Sequence, residues 1–251
     1  MLNAYEGFAS VYDLMQYNVD YEKWSNTFKR YILEHNQNAK YGLEIGCGTG
    51  TLTVLMSKKG FVMDGIDLVE EMLSIAQQKA RDEAQKINFY NQNMKEMTLK
   101  RKYDFVLGPC DAFNYIESLE ALENVFESIA NQLSPDGVFL FDLSSVYKLR
   151  EVVGDHTFAE TFDESAFIWE NSFDETLNKL NFVLTLFIEE DGIYKRFEEF
   201  HEQYAYEMDE VVDRLKPYFD VLKCIDGDLF TALNETSERI LFICKKKEKE
   251  V

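Results

Sequence analysis

The stretch LEIGCGTGTL, residues 43–52, places glycines at 46, 48 and 50 straight after an apolar run that contains an acid. Glycine weakens a strand and packs nothing. Three at alternate positions imply either dihedrals that only glycine tolerates or a close approach to the backbone. The loop follows a strand pattern and opens a helix pattern, which is where an open α/β sheet binds its ligands.

The flanking sequence supplies such a sheet. Short apolar runs at 41–46, 61–66, 87–90, 103–108 and 137–143 alternate with amphipathic segments at 50–59, 69–85 and 117–132. Strands alternating with helices predict a parallel sheet covered on both faces. SPDG at 134–137 reads as a turn by composition. Residues 1–36 read as helical, with Tyr5, Phe8, Ala9 and Tyr12, then Trp24, Phe28 and Tyr31, at helical spacing.

From about 156 to 206 the period changes to alternation. Phe167, Trp169 and Phe173 share one face, as do Leu180, Phe182, Leu184, Leu186 and Ile188, and EDGI at 190–193 is a hairpin signal. This predicts three or four antiparallel strands inserted at 146–206. The α/β pattern then resumes with a helix at 207–215 and closing strands at 218–225 and 238–246. The tail KKKEKE reads as disordered. The fold class is therefore α/β: a Rossmann-like, seven-stranded, mostly parallel sheet with helices on both faces and an inserted antiparallel β subdomain. Residues 1–145 and 207–246 make the first unit, with 1–36 as a helical lid.

Charge excludes one class of partner. The chain has 26 basic and 46 acidic residues, a net −20, which opposes a phosphate backbone. From Asp155 to Asp213 there are 17 acids against Lys179, Lys195 and Arg196, a net −14. That region is either a solvated surface or a field that draws in a cationic acceptor such as an amine. No apolar run approaches the ~18 residues of a membrane span, and the first residues lack the pattern of a signal peptide. Cys47, Cys110, Cys224 and Cys244 are too scattered for a zinc pattern, so free thiols in a cytoplasmic protein and no metal are expected.

About 20 residues past the loop, Asp67 ends the second strand pattern, where an acid can accept both hydroxyls of an adenosine ribose. The spacing is G-x-G-x-G, not the dinucleotide G-x-G-x-x-G, and Glu44 precedes it on the strand. This resembles motif I of the class I S-adenosylmethionine-dependent methyltransferases. GIDLVEEML, NQNMKEM, YDFVLGPCDAFNYI and LSPDGVFLFDL resemble further family motifs in the same order, together covering residues 40–143.

The resemblance implies S-adenosyl-L-methionine as cofactor. Gly46, Cys47, Gly48 and Gly50 would pass under its methionine part, with Glu44 orienting the loop or the amino group. Asp67 would take the ribose, Leu68, Met72, Asn93 and Met94 the adenine, and Cys110 the methionine end. Relatives often carry Asp where Asn93 stands. YDLM at 12–15 and the insertion also resemble small-molecule methyltransferases, sugar N-methyltransferases among them, in which an N-terminal helix closes over the cofactor. Tyr12 and Tyr17 are candidate lid aromatics.

The expected activity is methyl transfer to a small molecule, with nitrogen preferred to oxygen. Candidates for the proton-handling group are Asp111, Asn114 and Tyr115 after the fourth strand, and His201 in the insertion. Trp169 lines either the pocket or the insertion's core. The expected assembly is a monomer or a homodimer through the insertion. Two rivals are an NAD(P)-dependent oxidoreductase and a non-catalytic S-adenosylmethionine sensor or docking protein.

Overall fold

The computed structural model describes Ala9 and residues 12–248. Tyr5 and Phe8 of the N-terminal pattern lie outside the described residues. Residues 12–15 are helical, and α1 (Tyr21–His35) follows, started by Asp20, whose carboxylate accepts from the Lys23 N–H at 2.9 Å.

The α/β unit then runs β1 (Tyr41–Ile45), α2 (Thr51–Lys58), β2 (Val62–Asp67), α3 (Glu70–Asp82), β3 (Asn88–Asn91), β4 (Tyr103–Gly108), α4 (Leu119–Gln132) and β5 (Leu133–Ser144). Four strands follow: β6 (Thr157–Thr161), β7 (Ser165–Asp174), β8 (Lys179–Glu190) and β9 (Ile193–Tyr204). The chain closes with α5 (Met208–Leu215), β10 (Phe219–Asp226) and β11 (Arg239–Lys246).

β10-β11-β5-β4-β1-β2-β3 form a seven-stranded sheet, and β6-β7-β8-β9 form a separate four-stranded sheet. Within the first sheet β1 through β5 pair in parallel, while β11 runs antiparallel to both neighbours. The strand order reverses between β1 and β4, so a crevice opens there at the strands' C-terminal ends.

Side chains alternate across the sheet. Phe139, Phe141 and Phe242 face α4 and α5, packed with Val125, Phe126, Ile129 and Leu215. Val138, Leu140, Leu241 and Ile243 face α1 and α2, against Phe28, Ile32, Leu52 and Met56. Phe141 stacks on Phe139 at 4.6 Å and on Phe242 at 4.7 Å between ring centroids.

Two expectations need correction. SPDG is not a free turn. Tyr103 pairs with Leu133 and Phe105 with Val138, so 134–137 bulge out of β5 opposite Asp104. That bulge survives because Asp104 anchors it, accepting from Ser134 Oγ at 3.3 Å and from the Lys40 and Tyr41 N–H groups at 2.8 and 2.9 Å. The basic tail is not wholly loose either: Lys245 and Lys246 continue β11, Lys245 in register with Val138 and Asp220 and Lys246 with Phe219, while Lys249 and Glu250 lie outside the described residues.

The sheet is tightest at Gly42, where an added Cβ would sit 2.2 Å from Phe105 Cζ and 2.6 Å from Met63 Sδ. Gly42→Ala is expected to destabilise the chain by about 1–3 kcal/mol, the usual range for overpacking. Urea unfolding checks this; an unchanged midpoint would mean the sheet there is looser than described.

Candidate active site

All three glycines of the loop are left-handed: φ is +64° at Gly46, +51° at Gly48 and +74° at Gly50. Each plays a different part. Gly46 faces Ala112, which a Cβ would approach to 2.9 Å. Gly50 lets α3 pack, since a Cβ would fall 2.8 Å from that of Ala76. Gly48 leaves open space under Tyr12, whose ring would lie 3.8 Å from a Cβ.

Asp67 closes the loop from the neighbouring strand. Its Oδ2 accepts from the Gly48 N–H at 2.8 Å and its Oδ1 from the Val69 N–H at 2.9 Å. Each oxygen keeps a lone pair for a hydroxyl. Burial raises this carboxyl above its ordinary range, against the backbone bonds that lower it. Asn91 Nδ2 holds the strand end through the carbonyls of Asp67 and Leu68, at 3.3 and 2.8 Å.

A cavity of about 410 Å³ extends from this loop. On the cofactor side it is lined by Tyr12, Gly46, Gly48, Asp67, Leu68, Met72, Gln92, Met94 and Cys110. Two left-handed glycines, an acid at the strand end and apolar walls at Leu68, Met72 and Met94 fit an adenosine ligand with a zwitterionic tail. On the far side stand Asp111, Tyr115, Lys148, Trp169, Phe182, His201 and Gln203.

Four of the predicted cofactor residues lie off the cavity wall. Glu44 is 3% exposed behind the loop and accepts from Thr53 Oγ1 at 2.5 Å. Burial raises its carboxyl from the ordinary 4.5 to about 8. Cys47 is buried, its N–H donating to the Ile66 carbonyl at 3.0 Å. Gly50 serves helix packing. Asn93 caps the short turn Met94–Glu96, accepting from the Lys95 N–H at 2.9 Å. With the Asn93 oxygen engaged in the cap, its neighbours Gln92 and Met94 are on the wall.

The loop after β4 is built on a network that motif reading missed. Cys110 and Asp111 both adopt positive φ, +59° and +51°. The fully buried Asp142 holds them, accepting from their N–H groups at 3.1 and 2.6 Å. Arg239 Nη1 bridges Asp142 and Asp111, at 3.1 Å each, and its Nε reaches Asp228 at 3.2 Å. Asp111 also accepts from Gln203 Nε2 at 2.6 Å. Burial pushes the Asp111 carboxyl up, but Arg239, Lys148 and Gln203 outweigh it and hold it below the ordinary range. It is thus a poor proton acceptor, and it positions the loop. Burial raises the Cys110 thiol to about 12, so it stays protonated at neutral pH. Asn114 is fully buried and structural, donating to the carbonyls of Ser144 and Tyr204 and accepting from the Ser144 N–H.

His201 is placed differently. Its Nε2 lies 2.9 Å from Glu199 Oε2, and both side chains are buried, at 7% and 2% exposure. The ring stacks on Phe182 at 4.6 Å and meets Tyr115 edge-on at 5.9 Å. Burial raises the Glu199 carboxyl, against the bond from His201. The alternation of the sequence puts Glu199 on one strand face with His201, two residues away, and β9 has that arrangement. Trp169 has both of its expected roles: it lines the cavity and packs on Phe158 and Phe182, at 5.4 and 5.6 Å.

The segment at 12–17 lies over the glycine loop. Asp13 accepts from Thr49 Oγ1 at 2.6 Å and pairs with Lys79 at 2.8 Å. Met15 packs beside Leu184 and Leu186 of the insertion, and Tyr17 meets Phe162 edge-on at 6.2 Å.

This is a Rossmann-like fold with an adenosine-type crevice. A methyltransferase-domain family model matches residues 15–185. A protein of Geobacillus sp. strain WCH70, named as a methyltransferase, is 36% identical over 97% of this chain and 100% of its own. The Bacillus subtilis protein YqeM, named likewise, is 33% identical over 97% of this chain and 98% of its own. The crystal structure of an S-adenosylmethionine-dependent methyltransferase from Clostridium acetobutylicum superposes with a TM-score of 0.88, at 33% identity, over 97% and 99% of the two chains.

The chain belongs to the class I S-adenosylmethionine-dependent methyltransferases, and S-adenosylmethionine is its cofactor. The oxidoreductase and sensor readings are set aside by this membership.

Glu44 gives a testable pH dependence. Its folded-state pKa lies above its unfolded one, so its contribution to stability is present below about 4.5 and is lost as pH rises toward about 8. Glu44→Gln is expected to flatten the fall in stability across that window, measured by urea unfolding at several pH values. A slope identical to the wild type would contradict the burial argument.

Proposed function

We propose that the chain transfers the methyl group to a small-molecule amine held in the far half of the cavity, with His201 receiving the amine's proton. The observation that supports this is the Glu199–His201 pair on the cavity wall. When bound, the cofactor supplies a methyl group made electrophilic by a sulfonium. An ammonium acceptor has no lone pair until it loses a proton, so a base beside it decides whether it can react. Glu199 orients the imidazole, while Phe182, Trp169 and Leu184 exclude water from its surroundings. The Asp13–Lys79 contact would hold residues 12–17 as a lid, with Tyr12 over the loop.

The charge of the insertion does not supply the preference for an amine. Glu199 is the one buried acid between Asp155 and Asp213; the others are exposed or half-exposed on the surface. Shorter matches, over about half the chain, reach both a dTDP-amino-sugar N,N-dimethyltransferase of Streptomyces venezuelae and malonyl-[acyl-carrier protein] O-methyltransferases. The buried carboxylate stabilises the positive charge that the proton brings to His201, and such a base matters most to an ammonium, which has no lone pair until it is deprotonated. No helix among the described residues is long and apolar enough to cross a membrane.

A panel of amine and hydroxyl acceptors, scored by release of S-adenosylhomocysteine, tests the reading. Amines are expected to turn over, and turnover of hydroxyl acceptors alone would contradict it. With the best acceptor, His201→Asn is expected to lower kcat by about 10²- to 10⁴-fold, the usual worth of a positioned base, with cofactor affinity unchanged.

A further inference from the structure

Among the described residues, the charged groups around the cavity other than Lys148 have direct partners within the protein. Arg239 is shared by Asp142, Asp111 and Asp228. Glu199 is paired with His201, and Asp67 is held by two backbone N–H groups. Lys148 is the exception.

Lys148 begins the π-helical turn Lys148–Val153, just past β5, where such turns often accompany function. Its backbone N–H is anchored on Ser145 Oγ at 3.0 Å, and its side chain lines the cavity. Among the described residues its ammonium donates no hydrogen bond and makes no ion pair. Asp111 is the acid it shares the wall with, but Asp111 already accepts from Arg239 at 3.1 Å and Gln203 at 2.6 Å. Burial and Arg239 oppose its charge, while Asp111, then Asp228 and Glu238, favour it without a direct contact. Lys148 is half-buried and, among the described residues, its ammonium has no direct hydrogen-bond or ion-pair partner, and folded proteins tend to pair an ammonium that is drawn out of water. In a chain of net charge −20, this cation faces an open space.

We propose that Lys148 recognises an anionic group, a carboxylate or a phosphate, carried by the acceptor next to its methyl-receiving amine. The inference rests on the reading that the far half of the cavity holds the acceptor. The cofactor's own carboxylate is not the intended partner. The groups that act on Lys148 belong to the β5–β11 side, Arg239, Asp111, Asp228 and Glu238, whereas the cofactor side is built on Gly48 and Asp67. The anion would be held at one end and the amine presented to His201 at the other, so the acceptor is zwitterionic.

The test uses the full chain saturated with S-adenosylhomocysteine. Inorganic phosphate and acetate are titrated separately, read by the fluorescence of Trp169 in a Trp24→Phe background. One anion is expected to bind, and which one binds distinguishes a phosphate-bearing from a carboxylate-bearing acceptor. Lys148→Met is expected to weaken that binding at least about tenfold, as for other desolvated charge pairs cut at one partner. Lys148→Arg is expected to retain most of it. Calorimetric affinity for S-adenosylhomocysteine is expected to be the same in all three proteins.

Anion binding that Lys148→Met leaves untouched, or no anion binding by the wild type, would overturn the proposal. So would a loss of S-adenosylhomocysteine affinity in Lys148→Met, which would assign the lysine to the cofactor. Amines that turn over without any need for an anionic group would overturn Lys148 as a reader while leaving the amine reading intact. Turnover of hydroxyl acceptors alone would strike the amine reading instead.

Discussion

The hydrogen bond from the Gly48 N–H to Asp67, 2.8 Å long, is the contact on which the rest of the site depends. It joins the ends of two adjacent parallel strands, β1 and β2, across a loop that turns left-handed at Gly46, Gly48 and Gly50. Glycine supplies those dihedrals without the Cβ clash that other residues meet. The bond fixes the acid at the sheet's edge while leaving lone pairs facing the cavity. The seven-stranded sheet, with apolar helices on both faces, keeps the two strand ends in register.

The opposite side of the crevice is held by charge. Asp142 restrains two consecutive non-glycine residues, Cys110 and Asp111, in left-handed conformations. Such conformations persist where the surroundings over-determine them. Arg239, from the antiparallel strand β11, neutralises Asp142 and Asp111 together. The last strand therefore contributes to the active site as well as to the sheet. One wall thus relies on backbone freedom and the other on buried ion pairs, and the insertion roofs the space between them with Phe182, Trp169 and His201.

Much of the fold was legible in the residues. The 2-residue and 3.6-residue periods located the strands and helices, and 103–108 coincides with β4. The glycine loop and Asp67 were legible because their spacing is set by the strand-turn-helix unit itself. Asp142 and Arg239 were not, because their partners lie far off in sequence: Arg239 meets Asp111 across 128 positions. SPDG misled because composition reports turn chemistry but not the anchor that Asp104 provides. At Asn93 the residues did not reveal the local cap, in which the side-chain oxygen accepts from the Lys95 N–H. The acidity of the insertion was plain, but whether an acid faces water or the cavity depends on strand register, and only Glu199 is turned inward.

The central claim is that the Gly48–Asp67 corner holds the ribose of S-adenosylmethionine. Calorimetric titration of S-adenosylhomocysteine into the wild type and Asp67→Ala tests it most directly. The account expects the wild type to bind and Asp67→Ala to bind at least about tenfold more weakly, a loss of about 1.4 kcal/mol or more, with a far-ultraviolet circular dichroism spectrum like that of the wild type. Equal affinity in the two folded proteins would contradict it and remove Asp67 from the cofactor site.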